Sequence, residues 1–182
     1  MRNFLTSISS AAVVIAALAS VPAMAATQGT LGATSTGTVA ISASVPNRAR
    51  ITGLSDVAFT NQDPNTVASN AQNVCVWSNT ATKGYTVTAT GSGTSSAFTL
   101  ANGLLTVPYS VAWNASSGAT TGSALATGTA SAGLVSTATQ QVCSSGPATT
   151  SSLIVGITTA DLGGMQAETS YTGTLTLVVT PQ

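Results

Sequence analysis

Histidine is missing from all 182 residues, and charge is scarce: four Lys plus Arg face four Asp plus Glu, a formal net charge of zero. Without histidine there is no base for a Ser-His-Asp or Cys-His nucleophile, and the commonest metal ligand is gone. With so few cations, no basic patch exists for a nucleic-acid backbone or an anionic bilayer to meet. The four carboxylates are Asp56, Asp63, Asp161 and Glu168. The first two sit at turns and the others flank Gly163-Gly164 in one expected loop, so they read as solvated loop residues rather than a glycosidase pair. Asp-rich calcium loops, Gly-Lys phosphate loops and Cys/His metal spacings are lacking as well. The chain is therefore not expected to be an enzyme, and no catalytic residue, metal or cofactor is expected.

Long apolar runs are also lacking. The one apolar stretch near the start, Ala11–Leu18, follows Arg2 and precedes the small-residue site Val21-Pro22-Ala23-Met24-Ala25. That is the layout of a secretory signal peptide over residues 1–25, too short to span a bilayer and expected to be cleaved after Ala25. No later stretch is long and apolar enough for a transmembrane segment. Export brings an oxidising compartment, so the two cysteines, Cys75 and Cys143, are expected to form one disulfide. Closing so long a loop stabilises by roughly 4 kcal/mol on a chain-entropy argument. Solubility must come from Ser, Thr, Asn, Gln and Gly, a surface that repels its own copies weakly and suits a polymer.

What is abundant is short alternation. Arg50–Leu54, Asp56–Thr60, Val74–Trp77, Tyr85–Thr90, Tyr109–Trp113 and Thr172–Thr180 read as strands. Phe98–Leu100 and Leu104–Thr106 flank Asn102-Gly103, a hairpin signal. Leu153–Ile157 is apolar on both faces and reads as a central strand. A weak edge strand is expected around Leu125 in the polar stretch 114–133, and a short strand at Val142-Cys143. Helix signals are nearly absent. About eight or nine strands imply an all-β fold, two packed antiparallel sheets of immunoglobulin-like architecture. The antibody pattern itself fails, because Gln141 stands where a Tyr precedes the second Cys. Trp77, Tyr85, Tyr109, Trp113 and Tyr171 read as core or edge filling rather than a sugar-stacking platform. The glycosylation-like triplet Asn114-Ala115-Ser116 carries no functional weight.

A further strand stands at the front. In Gly37–Val45, Val39, Ile41, Ala43 and Val45 alternate with Thr38, Ala40, Ser42 and Ser44 until Pro46 stops the run. Its amides and its apolar face both need a partner sheet. Taken with Val107–Asn114 in mid-chain and the closing run Tyr171–Thr180, this layout resembles pilin subunits of the chaperone–usher pathway. The likeness is to the α-fimbrial and archaic branches and to the related spore-coat-U-like secreted proteins, and it covers most of the chain after residue 25.

The resemblance implies an incomplete sandwich, completed by donor-strand exchange. Residues 26–37 would be a flexible lead-in and 38–182 the pilin-like domain, with 38–45 its donor strand. Val39, Ile41, Ala43 and Val45 would enter a neighbour's groove, and Leu175, Leu177 and Val179 would line the acceptor groove. The implied partners are identical or related pilin subunits, a periplasmic chaperone and an outer-membrane usher. The implied location is a cell-surface fimbria or pilus serving adhesion or biofilm. Four such side chains contribute on the order of 5–8 kcal/mol before entropic costs. The lead-in and the placement of the two cysteines depart from the family pattern. The alternative is a self-contained secreted β-sandwich, acting as a matrix, coat or carbohydrate-binding module, whose front strand closes its own groove.

Overall fold

The alternating runs become strands where the main chain finds a ladder partner on at least one side, and they stay irregular where it finds none. The computed structural model describes residues 25–167 and 169–182, so the signal-peptide reading over residues 1–25 lies almost wholly outside the described residues, as does Glu168. The chain divides into two units, Met1–Val45 and Pro46–Gln182.

In the first unit, Thr27 and Thr38 exchange both main-chain hydrogen bonds, at 3.0 and 2.9 Å, closing the lead-in into a small loop. The predicted strand Gly37–Val45 pairs at Thr38 alone; no residue from Val39 to Val45 joins a ladder. Val39, Ile41 and Val45 expose 75, 91 and 81 % of their surface.

The second unit is all-β apart from one α-helix and one 3-10 turn among the described residues. Its strands are β1 (Ala49–Thr52), β2 (Ala68–Ser78), β3 (Gly84–Gly91), β4 (Thr99–Asn102) and β5 (Leu105–Pro108). They continue with β6 (Ser110–Asn114), β7 (Ser123–Ala124), β8 (Leu134–Val135), β9 (Ser151–Ile157) and β10 (Leu175–Pro181). A five-stranded sheet runs β1-β2-β9-β6-β7, a three-stranded sheet runs β10-β3-β8, and β4-β5 is a separate hairpin. Every ladder is antiparallel.

The two larger sheets share one core. Val74 and Val76 of β2, Val111 and Trp113 of β6 and Leu153, Val155 and Ile157 of β9 meet Tyr85, Val87 and Ala89 of β3. This is a sandwich-like arrangement in which the inward side chains of β3 alternate with threonines, while β9 is apolar on both faces. As expected, β9 is central, lying between β2 and β6 and buried along nearly its whole length. The aromatics fill the interior: Tyr85, Tyr109 and Trp113 are buried, and Trp77 and Tyr171 are half-buried. Burying a phenol and an indole requires polar partners, and they find one another. The Tyr85 hydroxyl lies 2.9 Å from Ser151 Oγ and accepts the Trp113 indole N–H at 3.3 Å.

Cys75 and Cys143 are joined by a disulfide, with Cα atoms 6.1 Å apart. The strand expected at Val142-Cys143 is instead a turn, with Cys143 at φ +50° and its N–H bonded to the Gln140 carbonyl. No strand can pair there, because side chains occupy the adjoining edge of β2. Thr150 Oγ1 takes the Val76 N–H at 2.9 Å and donates to the Val76 carbonyl, as does Ser136 Oγ.

Three further expectations change. Asp161 is not in a loop but in α1 (Thr159–Gly163), where its N–H donates to the capping Thr158 hydroxyl at 3.2 Å. The hairpin turn is Gly103-Leu104 rather than Asn102-Gly103, since Asn102 pairs with Leu105 and only Gly103 of that pair has positive φ. The strand expected at Asp56–Thr60 is unpaired, and its position defines the site below.

Candidate functional site: an apolar groove beside an edge strand

The groove begins at Gly53. Up to Thr52 the chain pairs with β2, Thr52 opposite Cys75; at Gly53 the backbone turns to φ +83°, a region that disfavours any residue with a Cβ. The main chain leaves the ladder there, so Leu54–Phe59 runs on with no strand partner. Gln72 holds it in place through the main chain of Ser55. Val57 and Phe59 turn inward in alternation with exposed neighbours, and Phe59 packs against the core. The alternation expected there is present, but the ladder is not.

Across from this wall lies β10. It pairs with β3 from Leu175 opposite Gly91 to Pro181 opposite Tyr85, and it is the last strand of its sheet. In an antiparallel edge strand every second residue points its N–H and C=O away from the neighbour, so β10 offers a row of free main-chain groups. Leu175, Leu177 and Val179 turn to the core side and Thr176, Val178 and Thr180 outward.

Between the two runs lies a cavity of about 580 Å³. Its walls carry Leu54, Val57 and Phe59 on one side and Leu175 and Leu177 on the other; its floor is Leu100, Tyr109, Leu153 and Val155. Tyr109 packs on Phe98 with ring centroids 5.7 Å apart, and burial raises the pKa of its hydroxyl. Asp56 is the one charged residue in the lining. The site therefore presents an apolar trough flanked by unpaired main chain, which suits an extended apolar segment.

Of the residues singled out from the sequence, the structure brings Leu175 and Leu177 together at the groove. Val179 faces the same way and packs on the core but stands outside the cavity lining. Val39, Ile41, Ala43 and Val45 stand exposed in the first unit. Sequence reasoning missed the opposite wall and the part played by Gln72. The available signal was Gly53, a glycine interrupting two alternating runs, which marks a bend or a bulge as often as a turn.

Elsewhere little chemistry gathers. Asp63 accepts two bonds from Asn65 in a turn, and the Asn114 carboxamide is engaged by Thr121 and Ser116. Among the described residues, no group of three or more His, Cys, Asp or Glu could hold a metal ion, and no helix is long and apolar enough to cross a membrane. Compared with known proteins, the chain matches no family model and no curated sequence.

Proposed function

We propose that the protein is a structural subunit of an extracellular fimbria, polymerising when the leading segment Thr38–Val45 of one copy adds as a strand to the groove of the next. The observation that carries this reading is the apolar trough between the edge strand β10 and Leu54–Phe59, a run that belongs to no ladder. A strand added along the edge of β10 meets its outward N–H and C=O groups and places every second side chain on an apolar floor. Val39, Ile41, Ala43 and Val45 have that spacing.

Before assembly such a trough would expose main chain and leucine to every other copy, a hazard that calls for temporary cover. A periplasmic chaperone that lends a strand, and an outer-membrane usher that exchanges it, fit that need and the resemblance noted above. The disulfide Cys75–Cys143 is compatible with export.

The junction is held by main-chain hydrogen bonds and apolar burial, so it resists salt. Unheated gel electrophoresis after incubation in strong salt is expected to show a ladder of multimers that collapses on heating. Deleting residues 37–45 is expected to abolish the ladder while the chaperone still captures the body. Monomer alone from the intact chain, stable without a chaperone, would overturn the reading in favour of a self-contained secreted module.

A further inference from the structure

A segment that fits a neighbour's groove also fits its own, and this chain carries both. Tethering favours the intramolecular choice: a short connection gives an effective concentration of about millimolar, well above that of free copies, unless geometry forbids closure. The connection is short, since Val45 is followed by Pro46, Asn47 and Arg48 before β1 begins at Ala49. It is also well suited to turning back. Proline sets the φ of a first turn position, and asparagine tolerates the second. A reversal at Pro46-Asn47 would lay the leading segment along the free edge of β1, which lies against β10 at the groove's end.

The structure instead holds Pro46–Arg48 free of any turn or bend. Asn79, the first residue after β2, holds it with three bonds. Its Oδ1 accepts the Arg48 N–H at 2.6 Å, its Nδ2 donates to the Pro46 carbonyl at 2.9 Å, and its main-chain N–H donates to the Arg48 carbonyl at 3.1 Å. The effect is to carry the β1–β2 register one residue beyond the ladder, with Ala49 opposite Ser78 and Arg48 opposite Asn79. The Pro46 carbonyl belongs to the peptide plane that a reversal must rotate, and the carboxamide pins it toward β2.

We propose that Asn79 is a latch that denies the leading segment access to its own groove, so that the strand is donated only to another copy. This rests on the polymer reading above and adds to it the device that selects a second copy as the groove's occupant. Asn79 is a positioning residue: it acts through Pro46 and Arg48 and does not line the groove.

The test compares the full exported chain with Asn79→Ala, which keeps the main-chain bond and removes both side-chain bonds. A second variant inserts Gly-Ser-Gly-Gly between Val45 and Pro46, leaving Asn79 and its partners intact while giving slack for reversal. Each is produced with the chaperone and read by unheated electrophoresis and by amide exchange over Val39–Val45. In wild type the ladder dominates. Asn79→Ala is expected to shift the population to monomer about tenfold, the size expected for lost hydrogen bonds of this kind, and the insertion to shift it the same way through the added slack, with amides 39–45 protected within the monomer of each. Ladders equal to wild type in both variants overturn the latch. Monomer alone in wild type overturns the polymer reading beneath it, a separate and distinguishable result.

Discussion

The main chain of Ser55 and the carboxamide of Gln72 are joined twice: the Ser55 N–H donates to Oε1 at 2.7 Å, and Nε2 donates to the Ser55 carbonyl at 3.1 Å. A side chain thus takes the ladder position that a β2 main chain would otherwise fill, and the wall Leu54–Phe59 stands a side chain's length from β2. Gln72→Ala is expected to release the wall at a cost of about 1–2 kcal/mol, the net worth of two partly exposed hydrogen bonds. A urea midpoint lowered accordingly, with faster amide exchange at Ser55, is the expected result; an unchanged exchange rate would remove the strut role.

The groove's apolar lining makes a sharper demand on the donor. Ile41 is 91 % exposed, so a charge there costs the isolated body nothing beyond the roughly 0.5 kcal/mol scatter of surface changes. Inside a neighbour's trough the same charge would lose its water without gaining a partner. If 38–45 is the donor as proposed, Ile41→Asp is expected to leave the thermal midpoint of the purified monomer unchanged and to erase the multimer ladder. A ladder of wild-type intensity would remove 38–45 as the donor.

The acceptor side is tested by its own substitution. Leu177 is half-buried on β10 and lines the cavity. Leu177→Ala removes part of the surface an incoming strand covers and leaves a hollow in the wall, so the junction is expected to weaken by about 2–3 kcal/mol. The readout is the temperature at which the ladder collapses, which falls in the variant. The loss in the free body is smaller, because in the free body this side chain is already partly in water.

How much of this was legible beforehand follows from which forces act locally. β3, β6, β9 and β10 stood out because their inward residues alternate, or run unbroken where both faces are covered. The first half of β2, Ala68–Asn73, is small and polar and becomes a strand only because β9 pairs with it from Ile157 to Ser152. β8 is two residues opposite Gly84 and Tyr85, too short to leave a period. The α1 cue was a cap, Thr158 followed three residues on by Asp161, and its brevity hid it. One wall of the groove, β10, was readable from its alternation. The other was mistaken for a paired strand, because periodicity reports which side chains face inward and not whether the main chain has a partner.

The disulfide joins residues 68 apart in sequence and ties the turn at Cys143 to β2. Replacing both cysteines by serine is expected to cost about 4 kcal/mol through the freed unfolded chain. The effect belongs to the unfolded state, so refolding yield should fall more than the double variant's native spectrum changes. Denaturant unfolding under reducing and non-reducing conditions checks this: the reduced wild type should match the variant, and a variant as stable as the oxidised protein would contradict it.

Tyr109 offers a direct optical report on the groove. It forms part of the floor, and burial raises the pKa of its hydroxyl, since the phenolate is the form that loses by leaving water. In the unfolded chain a tyrosine releases its proton near pH 10. Above that pH the unfolded state holds fewer protons than the native one, so the sign of the linkage is negative: stability present below about pH 10 is lost as pH climbs through the folded value. Tyr109→Phe should flatten that decline. A strand laid over the floor desolvates the ring further and pushes the ionisation higher. Phenolate absorbance of the purified monomer, titrated with and without a synthetic peptide of residues 37–48, is expected to show one tyrosine moving upward on peptide addition, and that movement should vanish in Tyr109→Phe. If the peptide leaves the titration unchanged at saturating concentration, the occupied site is not this groove.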